Sequence, residues 1–321
     1  MNKHTGWVVA AALALSLAAP AGAWGPAFYS ATVNGDYVVG GNASRTPPFG
    51  GTQGADPFPV AVAWPGTVVK AYLNWNYLTF TPGAPPEASV TLNGFPVVAG
   101  LSSFSSPDTC WGRDSVASYT ADVTAIVAAA GPGVFAVGSA LDDPVTGRLG
   151  DGVSLLVVYD NGGPSRRVNV YEGAVNSNPA SPATGVFSMD FAPAYPGGPT
   201  HFFVNALDGQ TFGFPGEDDF FINGVLVSGA LPGTNAIGNA WAGLLGPGGG
   251  SLDTFVRYDH AEADISGLMT PGDTSVFMET VGSPFGWDCI GHTFGAFSYV
   301  PEPASISFVL IGLGLLRRRL A

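Results

Sequence analysis

Two halves of the chain carry the same four short segments in the same order. The first half has TLNGFPV at Thr91–Val97, ADVTAIV from Ala121, PGVFAVG from Pro132 and DGVSLLVVYD from Asp151. The second has FINGVLV at Phe221–Val227, ADISGLM from Ala263, PGDTSVFME from Pro271 and IGHTFGAFSYV from Ile290. Each segment has a mechanical meaning. Asn-Gly suits a type I′ hairpin turn because both residues tolerate positive φ. Asp122 and Asp264 can each accept backbone N–H groups at the start of a helical turn. Pro-Gly then reverses the chain into the next strand.

Between these signals run short stretches of β-branched and aromatic residues, such as Val68–Phe80, Ala88–Leu92, Val134–Val137, Val153–Tyr159 and Val168–Tyr171. Gly, Pro and Asn separate them at intervals typical of all-β domains. Helix is expected only at Ala121–Ala130 and Ile265–Met269. With 46 Gly and 27 Pro in 321 residues and 46% hydrophobic residues, the chain is too apolar for disorder and too rich in turn formers for a helical fold. The expectation is an all-β protein of two tandem, duplicated, jelly-roll-like β-sandwiches, over residues 24–175 and 200–299, joined by a Pro/Gly/Ser-rich linker at 176–199.

Both ends look like addresses. Residues 1–23 combine Lys3, an apolar run from Trp7 to Ala19 and Ala21-Gly22-Ala23, the pattern of a secretory signal peptide cut before Trp24. At the other end, residues 300–321 hold Pro301-Glu302-Pro303, an apolar run from Ala304 to Leu316 that is short for a stable span, and Arg317, Arg318 and Arg319. The arginines should stay in the cytoplasm, leaving the body outside. These features together resemble the PEP-CTERM sorting tail of Gram-negative bacteria. The resemblance implies processing near Pro301–Pro303 by an exosortase, after a transient stay in the inner membrane, and delivery to the envelope, outer surface or extracellular matrix. The segments AYLNWNYL, YTADVTAIV and DGVSLLVVYD, within Val68–Gly173, also resemble an exported surface-domain family of bacteria and archaea whose function is unknown. That second resemblance brings no active site.

Charge narrows the partners. The formal net charge is −13, and Lys3 with the three terminal arginines belongs to the removable ends, so the body is more acidic still. Nucleic acid, which needs clustered Lys and Arg, is not an expected partner. Expected partners are signal peptidase and exosortase during processing, and extracellular polysaccharide.

Candidate sites are few. Cys110 and Cys289 are the only cysteines, which rules out a cysteine metal cluster; in an oxidising compartment a disulfide between them is expected. Asp142, Asp143 and Asp151, and Glu217, Asp218 and Asp219, form acidic runs able to supply Ca²⁺ oxygens, although neither has EF-hand spacing. No other cofactor is implied. In YDHAEAD, strand alternation places His260, Glu262 and Asp264 on one face, a set with metal-ligand chemistry or simply a polar outer face. His201, His260 and His292 have no nucleophile partner in sequence, and the hydrolase motifs are absent. Trp64, Trp75, Trp111, Trp241 and Trp287 suit core packing more than sugar stacking. The expected function is a structural or adhesive surface protein rather than an enzyme. The alternatives are a polysaccharide-binding module and a hydrolase of glycans or glycoproteins.

Overall fold

The computed structural model describes residues 24–44, 56–80, 87–105, 115–139, 149–177, 185–207, 218–232, 234, 240–241, 258–282 and 290–301. These are nearly all strand, arranged in antiparallel sheets without a closed barrel.

The first half builds two facing sheets. Strands β2 (Gly35–Ala43), β4 (Thr67–Thr79), β7 (Leu101–Phe104), β8 (Ser115–Asp122) and β10 (Leu149–Asp160) form one, in the order β2-β10-β4-β8-β7. Strands β3 (Phe58–Val62), β5 (Ser89–Leu92), β6 (Phe95–Val98) and β9 (Gly133–Gly138) form the other, in the order β3-β9-β5-β6. The second half repeats the scheme. Strands β1 (Tyr29–Val33), β11 (Arg166–Ser177), β13 (Thr200–Leu207), β16 (Tyr258–Ala263) and β18 (Ile290–Tyr299) are ordered β1-β11-β18-β13-β16. Its outer partner, of β12 (Gly185–Asp190), β14 (Asp218–Ile222), β15 (Val225–Leu226) and β17 (Ser275–Gly282), is ordered β12-β17-β14-β15. Remove β7 and β1, and the two strand orders are the same.

The duplication expected from sequence therefore extends to individual bonds. Asn93-Gly94 and Asn223-Gly224 both turn with positive φ, at 51° and 79° and at 49° and 77°. Each asparagine side chain then accepts an amide from the neighbouring strand, Ala136 N at 2.8 Å and Phe277 N at 2.9 Å. Asp122 accepts from Thr124 N at 3.0 Å ahead of helix α1 (Thr124–Ala130), and Asp264 accepts from Ser266 N at 2.8 Å ahead of the 3-10 turn Ser266–Leu268.

Burial explains the difference between strand sequences. On β3 (FPVAV) buried and exposed positions alternate, the mark of an outer sheet with one wet face. Every position of β18 is buried, because the two five-stranded sheets pack against each other and have no wet face. On β10, Val153, Leu155 and Val157 fill the core of the first sandwich, whereas Leu156 and Val158 join Val168, Val170, Phe203 and Phe294 in the seam between the sandwiches. The result is a stack of four sheets.

The chain passes from the first sheet pair to the second in the turn at residues 161–165, between β10 and β11. Of the stretch 176–199 expected as a linker, the described residues hold the end of β11, all of β12 and the approach to β13, within the second pair. The N-terminal segment runs the other way. Trp24 is buried in the second core against Phe187, and β1 pairs with β11, before the single residue Asn34 leads into β2 of the first sandwich. Room for the indole comes from two glycines. A Cβ on Gly173 would lie 2.3 Å from Trp24 Cδ1, and one on Gly295 2.7 Å from Trp24 Cζ3.

Candidate functional site in the inter-sheet seam

His201, His260 and Glu262, which sequence singled out, meet in the seam with several polar side chains it did not. In its middle, Asn205 Nδ2 donates to Tyr258 Oη at 3.0 Å, Tyr258 Oη and Ser154 Oγ lie 2.6 Å apart, and Ser154 Oγ lies 2.8 Å from His260 Nε2. Asn205 Nδ2 also donates to Thr293 Oγ1 at 2.8 Å. On the first inner sheet, Asn74 Nδ2 donates to Ser118 Oγ and Thr120 Oγ1, both at 3.0 Å. Burial holds His260 neutral, with its pKa lowered to about 3. One proton order has Tyr258 donating to Ser154 and Ser154 donating to Nε2. In that order Nδ1 carries the imidazole hydrogen, and in the reverse order Nε2 does.

A charged cluster occupies the β2 side of the seam. His201 Nδ1 is 3.3 Å from Asp36 Oδ2 and its Nε2 is 2.7 Å from Glu262 Oε1. Its ring stacks on Tyr37 with centroids 4.2 Å apart. Arg166 Nε lies 3.0 Å from Asp36 Oδ2, and Ser298 Oγ donates to Asp36 Oδ1 at 2.6 Å. Burial alone would favour neutral His201, but the two carboxylates outweigh it and raise its pKa to about 9. Burial pushes the Asp36 carboxyl upward, and hydrogen bonds and charge from His201, with Ser298 and Arg166, more than reverse this to leave it below its ordinary value. The cluster joins strands of both inner sheets.

Beside it lies a cavity of about 460 Å³ lined by Val39, Gly40, Gly41, Ala61, Pro232, His260 and Glu262. Gly41 is required here: a Cβ would come 2.2 Å from His260 Cε1 and 2.5 Å from Nε2. The alternation expected of YDHAEAD holds for His260 and Glu262, which both line this cavity. Asp264 does not join them. It lies past the end of β16, where Oδ1 accepts from Thr200 N at 3.1 Å, Thr200 Oγ1 at 2.8 Å and Ser266 N at 2.8 Å.

The remaining candidates are dispersed. Asp151 is fully buried on β10 of the first inner sheet. Asp218 turns inward on β14, where Oδ2 accepts from Ala240 N at 3.1 Å and Trp241 N at 3.2 Å; its neighbour Asp219 accepts from Ser228 Oγ at 3.2 Å. Asp142, Asp143 and Glu217 lie outside the described residues, as do Cys110, Cys289, Trp111, Trp287, Glu302, Pro303 and Arg317–Arg319, whereas Pro301 ends the described chain. Among the described residues no group of three or more His, Cys, Asp or Glu can hold a metal ion, and no helix is long and apolar enough to cross a membrane. Trp64, Trp75 and Trp241 are buried core residues. His292 is buried against Phe187 and Phe220 and bonded to Thr280 Oγ1 and the Asn205 carbonyl; burial lowers its pKa to about 4.

Sequence reasoning missed Asp36, Arg166, Ser154 and Tyr258. Their partners are up to 262 positions away, as for Ser298 and Asp36, and no local spacing announces such contacts. The adjacent Gly40-Gly41 inside a strand was the available signal, since glycine there marks a close approach.

No family model matches the chain, and no curated protein matches it. One similar solved structure is the "Crystal structure of BuGH86wt in complex with neoagarooctaose", at 12% identity and a TM-score of 0.26, over 76% of this chain and 34% of that one. The chain thus spans about a third of that protein, and a likeness of this strength carries no argument.

Proposed function

We propose that the protein is an exported structural or adhesive component of the cell envelope or extracellular matrix, sorted through its C-terminal tail by an exosortase. The observation that carries this reading is the interlocked stack. The N-terminal segment seats Trp24 in the second sandwich before the chain builds the first, and the seam between the sandwiches is closed by apolar packing and the Asp36–His201–Glu262 cluster. Such a body resists separation of its halves, as a load-bearing surface protein needs. Loss of the protein from the cell surface when Pro301–Pro303 is replaced by alanines, with the body still folded, is the expected outcome; unchanged surface retention of the variant overturns the sorting reading.

Cys110 and Cys289 add a covalent tie to the same proposal. Gly291 packs on Val116 across the seam, a Cβ there falling 3.3 Å from Val116 Cγ2. Val116 lies six positions after Cys110 and Gly291 two after Cys289, so a disulfide between the cysteines would tie the two sandwiches together. A closed loop this long stabilises a fold by about 5 kcal/mol in the chain-entropy model.

A second reading, a polysaccharide-binding module, is favoured by the cavity at His260 and Glu262. The hydrolase reading has less support from this site, because Ser154, the hydroxyl beside His260, is fully buried.

A further inference from the structure

We infer that the cavity between β2 and β16 binds an uncharged polyhydroxyl ligand of the size of one neutral sugar ring, with His260 and Glu262 as its hydrogen-bonding pair. This rests on the second reading above and names its ligand class.

The cavity, about 460 Å³, falls within the range of small-molecule sites and exceeds what a few ordered waters need. Its walls are of two kinds. Val39, Ala61, Pro232 and the bare backbone of Gly40 and Gly41 offer apolar surface. His260 and Glu262 offer polar atoms that the fold has oriented but not used up. His260 is held by Nε2 on Ser154, and its Nδ1 has no hydrogen-bond partner among the described residues. Glu262 is held by Oε1 on His201, and its Oε2 likewise has none among them. Nδ1 is a donor in the tautomer that accepts from Ser154 at Nε2 and an acceptor in the other, and Oε2 is an acceptor. An imidazole nitrogen and a carboxylate oxygen on one wall match two adjacent hydroxyls, because a hydroxyl both gives and receives a hydrogen bond and so suits either tautomer.

Charge selects against ions. The Glu262 and Asp36 carboxylates are balanced by Arg166 and protonated His201, and His260 is neutral, so no net charge faces the cavity to hold an anion or a cation. The pseudo-equivalent place in the other half carries Val170 and has no imidazole, and its carboxylate, Glu172, is bonded to Ser103 and Ser118.

The test uses the full mature chain with ¹⁵N-labelled histidine. D-glucose, D-galactose and D-mannose are titrated in turn, with D-galacturonate as the charged control, while the His260 ring resonances are followed. The expected result is a saturable shift of His260 with at least one neutral hexose. Binding should weaken at least about tenfold in A61L, which fills the cavity from an exposed strand position, while the unfolding midpoint is unchanged. No shift with any of the three hexoses, a response to galacturonate alone, or equal binding by A61L overturns the inference. Surface retention through Pro301–Pro303 is read separately, so loss of one reading does not remove the other.

Discussion

The inner sheets face each other in two pseudo-equivalent places, β2 over β16 and β11 over β8, and the two have diverged. The strand registers align the row Gly41, Ser154, Asn74, Thr120 with the row Val170, Ala296, Phe203, Glu262. One step along, Asn76 opposite Ser118 matches Asn205 opposite His260. Where β11 meets β8, Val170 fills the space, Glu172 bonds Ser103 and Ser118, and β7 extends the sheet beyond β8. Where β2 meets β16, glycines replace the side chain, an imidazole and a carboxylate replace two hydroxyls, and β16 is itself the sheet edge. Duplication supplied one architecture twice, and the place at the uncovered edge is the one that holds an imidazole beside open space. Charged groups at such a seam are costly unless paired, and the His201 cluster cancels charge against charge.

The largest expected effect separates the halves themselves. Trp24→Ala empties a slot that exists only in the second sandwich and should cost about 4 kcal/mol, seen as a lowered urea midpoint. If the loss is below about 1 kcal/mol, the N-terminal segment is not holding the second core.

Gly41→Val imports the residue of the other edge. Its Cβ collides with His260, and a loss of about 2–3 kcal/mol is expected. Adding His260→Ser, which completes the exchange, should recover at least about 1 kcal/mol; a double-mutant cycle without coupling means that the two edges differ for another reason.

His201→Ala should cost about 2 kcal/mol at pH 6, because Asp36 and Glu262 lose a charged partner. The sign of the pH dependence follows from the direction of the shift. The folded-state pKa lies above the ordinary value of 6.5, at about 9, so this stabilisation is complete below pH 6.5 and is lost as pH rises through 9. Urea midpoints of wild type and H201A measured from pH 5 to 10 should converge at the alkaline end, and parallel curves would refute the clamp.

The smallest effect tests the symmetry that survives. Asn93→Ala and Asn223→Ala each remove a positive-φ turn residue and one side-chain bond to a neighbouring strand, and each should cost about 1–2 kcal/mol. Unequal losses in thermal unfolding would show that one hairpin has become more important than its copy.

What was legible in the sequence and what was not divide along range of interaction. The Asn-Gly turns, the Asp122 and Asp264 turn caps and the order of the repeated segments are local matters, fixed by φ preferences and by side chains reaching two residues along their own chain. Those determined the all-β class and the duplication from sequence alone. Even the shared face of His260 and Glu262 followed from the two-residue period of a strand. Tertiary structure decided the rest. It set the five-stranded sheets back to back, gave β1 to the far sandwich, turned Asp264 away from His260, and carried His201 to Asp36 from 165 positions away. Such choices depend on which apolar faces bury each other best across hundreds of residues, and no short stretch of sequence carries that information.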